Sequence, residues 1–210
     1  MRMIMEGGTG AIATILLAHG AWAGSQSPGM AAIASALVRA GFRVARFDFA
    51  YMAARSEGLN RPPPKAESLL GEYREAVAAL HETGPLIVGG KSMGGRVASM
   101  VAGELFASGR TGGLLCIGYP FHPPTQPDRP RIAHLTSLAA PTLICQGTRD
   151  PFGGRDEVAS YGLSEKIELL WLEDGDHELR PRKRLTGLSH DDHLRSMAQD
   201  TRRWAERILS

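Results

Sequence analysis

Short, continuous apolar runs alternate with longer stretches of helical periodicity along almost the whole sequence. The runs predict six buried strands, at residues 13–18, 42–49, 86–89, 114–118, 142–146 and 166–172. Strands and helices in regular order are typical of a doubly wound α/β fold, in which a mostly parallel sheet carries helices on both faces. At 210 residues, we expect one such domain to span residues 1–210.

The helices are predicted from the spacing of apolar residues and from the residues that cap helix ends. The first begins with Ser27 as N-cap and Pro28 as its first residue, and it ends at Gly41. The last has Ser189 as N-cap and acidic residues in its first turn. The others are predicted at residues 66–81, directly after residue 92, and at 155–161.

Charge and cysteine content narrow the class of protein. Lys and Arg number 24 against 22 Asp and Glu, a formal net charge of +2, so no general field gathers nucleic acid or anionic membrane. Cys116 and Cys145 lie inside apolar runs, where small reduced thiols pack well. No apolar run approaches the roughly 20 residues that span a bilayer. We therefore expect a soluble cytoplasmic protein with neither a nucleic-acid nor a membrane partner.

One sequence motif indicates a catalytic site. Gly90 to Gly94 is a G-x-S-x-G sequence between a predicted strand and a predicted helix, the setting of a nucleophile elbow. The sharp turn requires small residues two positions before and after Ser92, which becomes the candidate nucleophile. The backbone N–H of Met93 then points to where an oxyanion would form, at the positive end of the helix.

A serine nucleophile needs a base and a carboxylate that orients the base. Asp150 follows the strand at 142–146, and His177 follows the strand at 166–172, so both lie at the carboxyl edge of the sheet. Their order after Ser92 is that of a Ser-His-Asp triad on an α/β fold. Three rival acids rank below Asp150 because none follows so directly on its strand: Asp174, Asp176 and Asp156.

The loop after the first strand should supply the second oxyanion donor. We assign that role to the N–H of Ala21, with Trp22 as the reserve, and interpret His19 as a structural brace. The predicted substrate pocket is lined by loop side chains: Trp22, Tyr51, Met52, Tyr119, Phe121 and His122. We expect Trp22 to narrow the acyl site.

Together these motifs resemble the small, lidless α/β-hydrolases of the KANL/testis-expressed-protein type, relatives of dienelactone hydrolases and small carboxylesterases. The resemblance rests on segments in order along the chain: LAHGA at 17–21, RPPPK at 61–65, GGKSMGGR at 89–96, GYPFHPP at 118–124, QGTRDPFG at 146–153 and DGDHELRPRKR at 174–184. It implies hydrolase chemistry for the matched Ser92, Asp150 and His177.

The sequence thus predicts a serine hydrolase that cleaves a small carboxylic ester or thioester through an acyl-enzyme. The alternative is a non-catalytic interaction module that keeps the fold. We expect no cofactor and no metal: the Gly90-Lys91-Ser92 sequence lacks the upstream glycine of a phosphate loop, and helix capping explains the acids between His190 and His193. The segment at 119–140 is too short for a lid domain, which predicts an open cleft. The oligomeric state is left open.

Overall fold

Seven strands form one sheet in the computed structural model, which describes residues 2–59, 61–80 and 84–210. The strands are β1 Met3–Glu6, β2 Thr14–Ala18, β3 Arg43–Phe47, β4 Leu86–Lys91, β5 Gly113–Ile117, β6 Thr142–Gly147 and β7 Ile167–Leu172. Their order in the sheet is β1-β3-β2-β4-β5-β6-β7. Only β1 runs antiparallel to its neighbour among these described strands, and the other pairs are parallel.

Helices connect the strands. They are α1 Pro28–Arg39, α2 Ala50–Ser56, α3 Leu70–Ala79, α4 Met93–Ala107, α5 Arg155–Ala159, α6 Lys183–Thr186 and α7 His190–Ile208, with a 3₁₀ helix at Ala66–Leu69 directly before α3. The predicted caps are present. Ser27 accepts from the Met30 N–H, and Ser189 forms a capping box with Asp192. Gly41, two residues past α1, adopts a φ of 97°.

The sheet has a layer of helices on each face. Successive side chains of a strand point to opposite faces, so each strand packs against both layers. In β2, Leu16 packs on the side of α3 and α4, whereas Ile15 and Leu17 pack on the side of α1 and α7. All five residues of β2 are buried, as a central parallel strand requires. The predicted doubly wound α/β fold is confirmed.

The six predicted strands occur within a few residues of their expected bounds, but three elements were not predicted. These are β1, α2 and α6. Strand β1 has four residues and only partial burial, so its apolar signal is weak. The predicted helix at 66–81 is divided into the 3₁₀ helix and α3, and its last residue, His81, lies outside the described residues.

Cys116 and Cys145 are both fully buried and free, which agrees with their prediction as reduced residues of the core. Among the helices of the described chain, none combines the length and the apolar character needed to cross a membrane.

Candidate functional site

The turn between β4 and α4 holds Ser92 in a backbone conformation that side chains rarely adopt. Its φ is 52° and its ψ is −118°, a strain of about 1–3 kcal/mol that the surrounding packing must sustain. The packing is close because an ideal Cβ on Gly94 would lie 2.5 Å from the Ala18 carbonyl oxygen. A Cβ on Gly90 would lie 2.5 Å from the backbone of Gly94. The glycines therefore let strand and helix approach, and the serine projects from the turn.

Substituting Gly94 by Ala should destabilise the protein because the new methyl group meets the backbone of β2, which cannot move aside. We expect the free energy of unfolding to fall by about 1–3 kcal/mol or more in urea titrations. Gly103→Ala, in the same helix, is the matched control. Its Cβ would meet only Leu138 at 3.7 Å, so it should stabilise by up to about 1 kcal/mol. Equal effects of the two substitutions would contradict this account of the elbow.

A continuous chain of hydrogen bonds joins the three predicted side chains. His177 Nε2 lies 2.9 Å from Ser92 Oγ, and His177 Nδ1 lies 2.8 Å from Asp150 Oδ2. The Asp150 side chain is fully buried, whereas that of His177 is 19% exposed. The imidazole can therefore reach both the serine and a bound molecule, with the carboxylate behind it.

Two further groups fix the Asp150 carboxylate. The Gln146 side-chain amide donates to Oδ2 at 3.0 Å, and the Phe152 backbone N–H donates to Oδ1 at 2.9 Å. The Phe152 ring packs on the His177 ring, with centroids 4.3 Å apart. Sequence reasoning did not identify Gln146 or Phe152. The signal for both was their position beside Asp150, at the end of β6 and in the loop that follows.

The three rival acids have other partners. Asp174 pairs with Arg182 and Arg149, and its hydrogen bonds to Arg182 lower the pKa of that carboxyl to about 2. Asp176 accepts the backbone N–H groups of residues 178 and 180, which shapes the loop that carries His177. Asp156 lies exposed in the first turn of α5. The structure brings only Asp150, of these four described carboxylates, to the His177 ring.

The loop after β2 lies beside the serine. A Cβ on Gly20 would be 3.7 Å from the Ser92 Cβ, and the next residue, Ala21, lines the cavity in front of the serine. Met93 is the first residue of α4, so its N–H has no acceptor within the helix. Two N–H groups, those of Met93 and Ala21, thus belong to the segments that flank Ser92 Oγ.

His19 braces this loop, as predicted. Its Nδ1–H donates to the Gly20 carbonyl at 2.7 Å, and its Nε2 accepts the Phe49 N–H at 3.1 Å. Burial lowers the pKa of His19, which favours the neutral ring, and the two hydrogen bonds fix its tautomer. The Tyr51 hydroxyl adds a hydrogen bond of 2.9 Å to the Ala21 carbonyl.

A cavity of about 1290 Å³ opens in front of Ser92 and His177. Trp22 lines it. The residue is 72% exposed, and the Arg55 guanidinium lies over its ring. Trp22 thus lines the cavity as predicted, and its narrowing of the acyl site stays a prediction. The tryptophan lies at the mouth because its segment, between β2 and α1, runs over the surface.

Five other residues predicted to line the pocket are buried and do not contribute to the cavity wall: Tyr51, Met52, Tyr119, Phe121 and His122. Tyr51 and Met52 lie on α2, the other three lie in the loop after β5, and all five are buried in the protein interior. The Tyr119 hydroxyl donates to the Arg131 carbonyl at 3.0 Å, and His122 Nε2 lies 3.1 Å from Glu157. The wall is formed instead by residues that the sequence did not single out for it, among them Pro62, Lys65, Glu67, Lys91, Arg96, Arg131, Phe152 and Glu178.

Metal ligation receives no support from the histidines near the start of α7. The described residues contain no group of three or more His, Cys, Asp or Glu side chains placed to hold an ion. The ring of His193 is buried, and its Nδ1 bonds to the Leu179 carbonyl at 2.9 Å.

Solved structures share this fold at low sequence identity. The esterase domain of a Rhodothermus marinus protein aligns with a TM-score of 0.67 and 20% identity, over 98% of this chain and 91% of its own. The dienelactone hydrolase of Anabaena variabilis aligns with a TM-score of 0.69 and 20% identity, over 99% and 92%. A thermophilic esterase of Thermogutta terrifontis gives 0.68 and 18%, over 99% and 94%.

The family model of the alpha/beta hydrolase domain matches residues 11–206, from the segment before β2 into the last turns of α7. This match contains the elbow, the loop after β2, and the loops of Asp150 and His177. The chain therefore belongs to the α/β-hydrolase domain family.

Proposed function

We propose that this protein is a serine hydrolase that cleaves a small carboxylic ester or thioester through an acyl-enzyme. The observation that carries the proposal is the hydrogen-bonded chain from Ser92 through His177 to Asp150, with distances of 2.9 and 2.8 Å. It opens onto a cavity large enough for a small-molecule substrate.

In this mechanism, Ser92 Oγ attacks the carbonyl carbon while His177 Nε2 accepts the hydroxyl proton. The carbonyl oxygen becomes an oxyanion, which the N–H groups of Met93 and Ala21 stabilise. The tetrahedral intermediate collapses, the C–O or C–S bond breaks, and His177 returns the proton to the leaving alkoxide or thiolate. Water then attacks the acyl-serine by the same steps in the second half. Asp150 holds the Nδ1–H tautomer throughout.

Family membership and the names of the fold neighbours support ester cleavage, since these neighbours include two esterases and a dienelactone hydrolase. We further propose the closer kinship with the KANL/testis-expressed-protein type from the motifs GGKSMGGR and DGDHELRPRKR. A single domain and a cytoplasmic location, expected from the sequence, are part of the same proposal.

Turnover of p-nitrophenyl acetate and butyrate tests the proposal against the interaction module. A hydrolase should release p-nitrophenol at a rate proportional to protein concentration, and pre-treatment with a fluorophosphonate should abolish this release. Protein that is folded by circular dichroism and releases no nitrophenol would favour the module.

Acyl chain length should matter little beyond butyrate. A buried CH₂ contributes about 0.8 kcal/mol only where it leaves water, whereas the expected open cleft, without a lid domain over Ser92, would leave most of a long acyl chain in water. In a series of p-nitrophenyl esters, kcat/KM should peak between acetate and butyrate. A value that keeps rising to decanoate would contradict the proposal of a small substrate.

A further inference from the structure

The cavity in front of Ser92 is far more basic than the protein as a whole. The described residues that line it include five cationic side chains and two carboxylates, in a chain whose formal net charge is +2. The cations are Lys65, Lys91, Arg96, Arg131 and Arg180, and the carboxylates are Glu67 and Glu178. A concave site with such an excess of one sign attracts ligands of the opposite sign.

The five cations are not equally free to bind a ligand. Lys91 is buried and forms an ion pair of 3.1 Å with Glu178, so its charge is already balanced. Lys65 and Arg180 also line the cavity, but both are exposed. Two guanidinium groups, those of Arg96 and Arg131, remain as the donors that face the cavity from α4 and from the long loop after β5.

Both guanidinium groups have unused hydrogen-bonding capacity. One terminal N–H group of Arg96 donates a hydrogen bond to the Glu67 carboxylate. The Arg96 Nε is buried and has no hydrogen-bond partner among the described residues. Arg131 forms no side-chain hydrogen bond or ion pair with any described residue, although it is only partly exposed. A buried donor without an acceptor carries a desolvation cost that a bound acceptor would offset.

The two arginines line the same cavity as the nucleophile. Burial and repulsion from Arg96 lower the pKa of Arg131, so the two charges interact. The backbone of Arg96 lies one helical turn beyond Ser92, since its N–H donates to the Ser92 carbonyl at 3.0 Å. Ser92, Arg96 and Arg131 all line this one cavity, so an acceptor bound by the arginines would share it with the nucleophile.

We propose that Arg96 and Arg131 form a carboxylate-binding subsite, so that the ester cleaved at Ser92 carries a free carboxylate. This inference rests on the proposed function. The charges favour a carboxylate over a phosphate monoester, because Glu67 leaves the group of two arginines with one net positive charge, which a monoanion balances. Two oxygen atoms of a carboxylate also match the forked donors of guanidinium groups.

The test compares acidic esters with their methyl-capped analogues. Mono-p-nitrophenyl adipate and suberate place the carboxylate on the acyl side, and 4-acetoxybenzoate places it on the leaving group. Wild-type protein should prefer at least one acidic ester over its neutral analogue by about 10- to 100-fold in kcat/KM. Equal rates for every acidic and neutral pair would overturn the subsite while leaving the hydrolase intact.

Variants assign the preference to these residues. Arg131→Gln should reduce the ratio of acidic to neutral kcat/KM to within a few-fold of one. Arg129 is an exposed arginine of the same loop that does not line the cavity. The control Arg129→Gln should therefore keep the wild-type ratio. Glu67→Gln should raise the ratio, because it frees Arg96. A preference that survives Arg131→Gln would overturn the assignment, as would a preference for 4-acetoxyphenyl phosphate over 4-acetoxybenzoate.

A binding measurement separates failure of the subsite from failure of the hydrolase. Calorimetry on the Ser92→Ala protein should show at least one of these acidic esters binding at least tenfold more tightly than its methyl-capped form, and this difference should disappear when Arg131→Gln is added. If wild-type protein hydrolyses nothing but this difference is present, the subsite stands without the proposed reaction. If the difference is absent, the subsite is wrong.

Discussion

Ser92→Ala should lower kcat for p-nitrophenyl butyrate by about a million-fold, the loss found when the nucleophile of a serine hydrolase is removed. The size of the effect follows from the geometry, since the hydroxyl 2.9 Å from His177 Nε2 is the group that forms the covalent intermediate. The measurement is the initial rate of nitrophenol release, corrected for the uncatalysed reaction.

Ser108→Ala is the matched control for this loss. Ser108 caps the other end of α4, and its hydroxyl donates only to the Leu105 carbonyl at 3.1 Å. Its removal should cost about 1 kcal/mol of stability and leave kcat unchanged. A Ser92→Ala protein that retains wild-type turnover would show that the nucleophile lies elsewhere.

Asp150→Asn should lower kcat by about ten thousand-fold, the effect of the same substitution in the triad of serine proteases. The hydrogen bonds of this site explain why. The Phe152 N–H is a fixed donor to Oδ1, so the new side chain must place its oxygen there and its NH₂ group toward His177 Nδ1. His177 would then carry its proton on Nε2, where it cannot accept the proton of Ser92.

Asp156→Asn serves as the control, since this rival acid is exposed on α5, away from the His177 ring. The two asparagine variants should be compared by kcat and by unfolding in urea. Wild-type kcat in folded Asp150→Asn protein, or a loss equal to that of Asp156→Asn, would place the acid in another loop.

The reacting groups could be predicted from sequence because general rules constrain where they lie. A serine between Gly90 and Gly94 must sit on a sharp turn, and the polar residues that follow parallel strands must meet at one edge of the sheet. The order of β4, β6 and β7 then brings Ser92, Asp150 and His177 to the same rim. These inferences needed only strand positions, which the apolar runs supplied.

The cavity wall could not be predicted in this way because it combines residues of several loops with residues of α1, β4 and α4. Tyr119 and Phe121 look like pocket residues from their position after β5, yet both are fully buried. Arg131, in the same loop, faces the cavity. The direction of each side chain depends on loop conformations that period-2 and period-3.6 patterns do not describe.

The central claim is that Ser92 is an activated nucleophile, and covalent labelling measures this directly. Intact-mass spectrometry after incubation with a fluorophosphonate should show one adduct per chain, mapped by peptide analysis to Ser92. The label should be absent from Ser92→Ala protein. Wild-type protein that is folded by circular dichroism and gains no mass, or that carries the adduct on another residue, would contradict the claim.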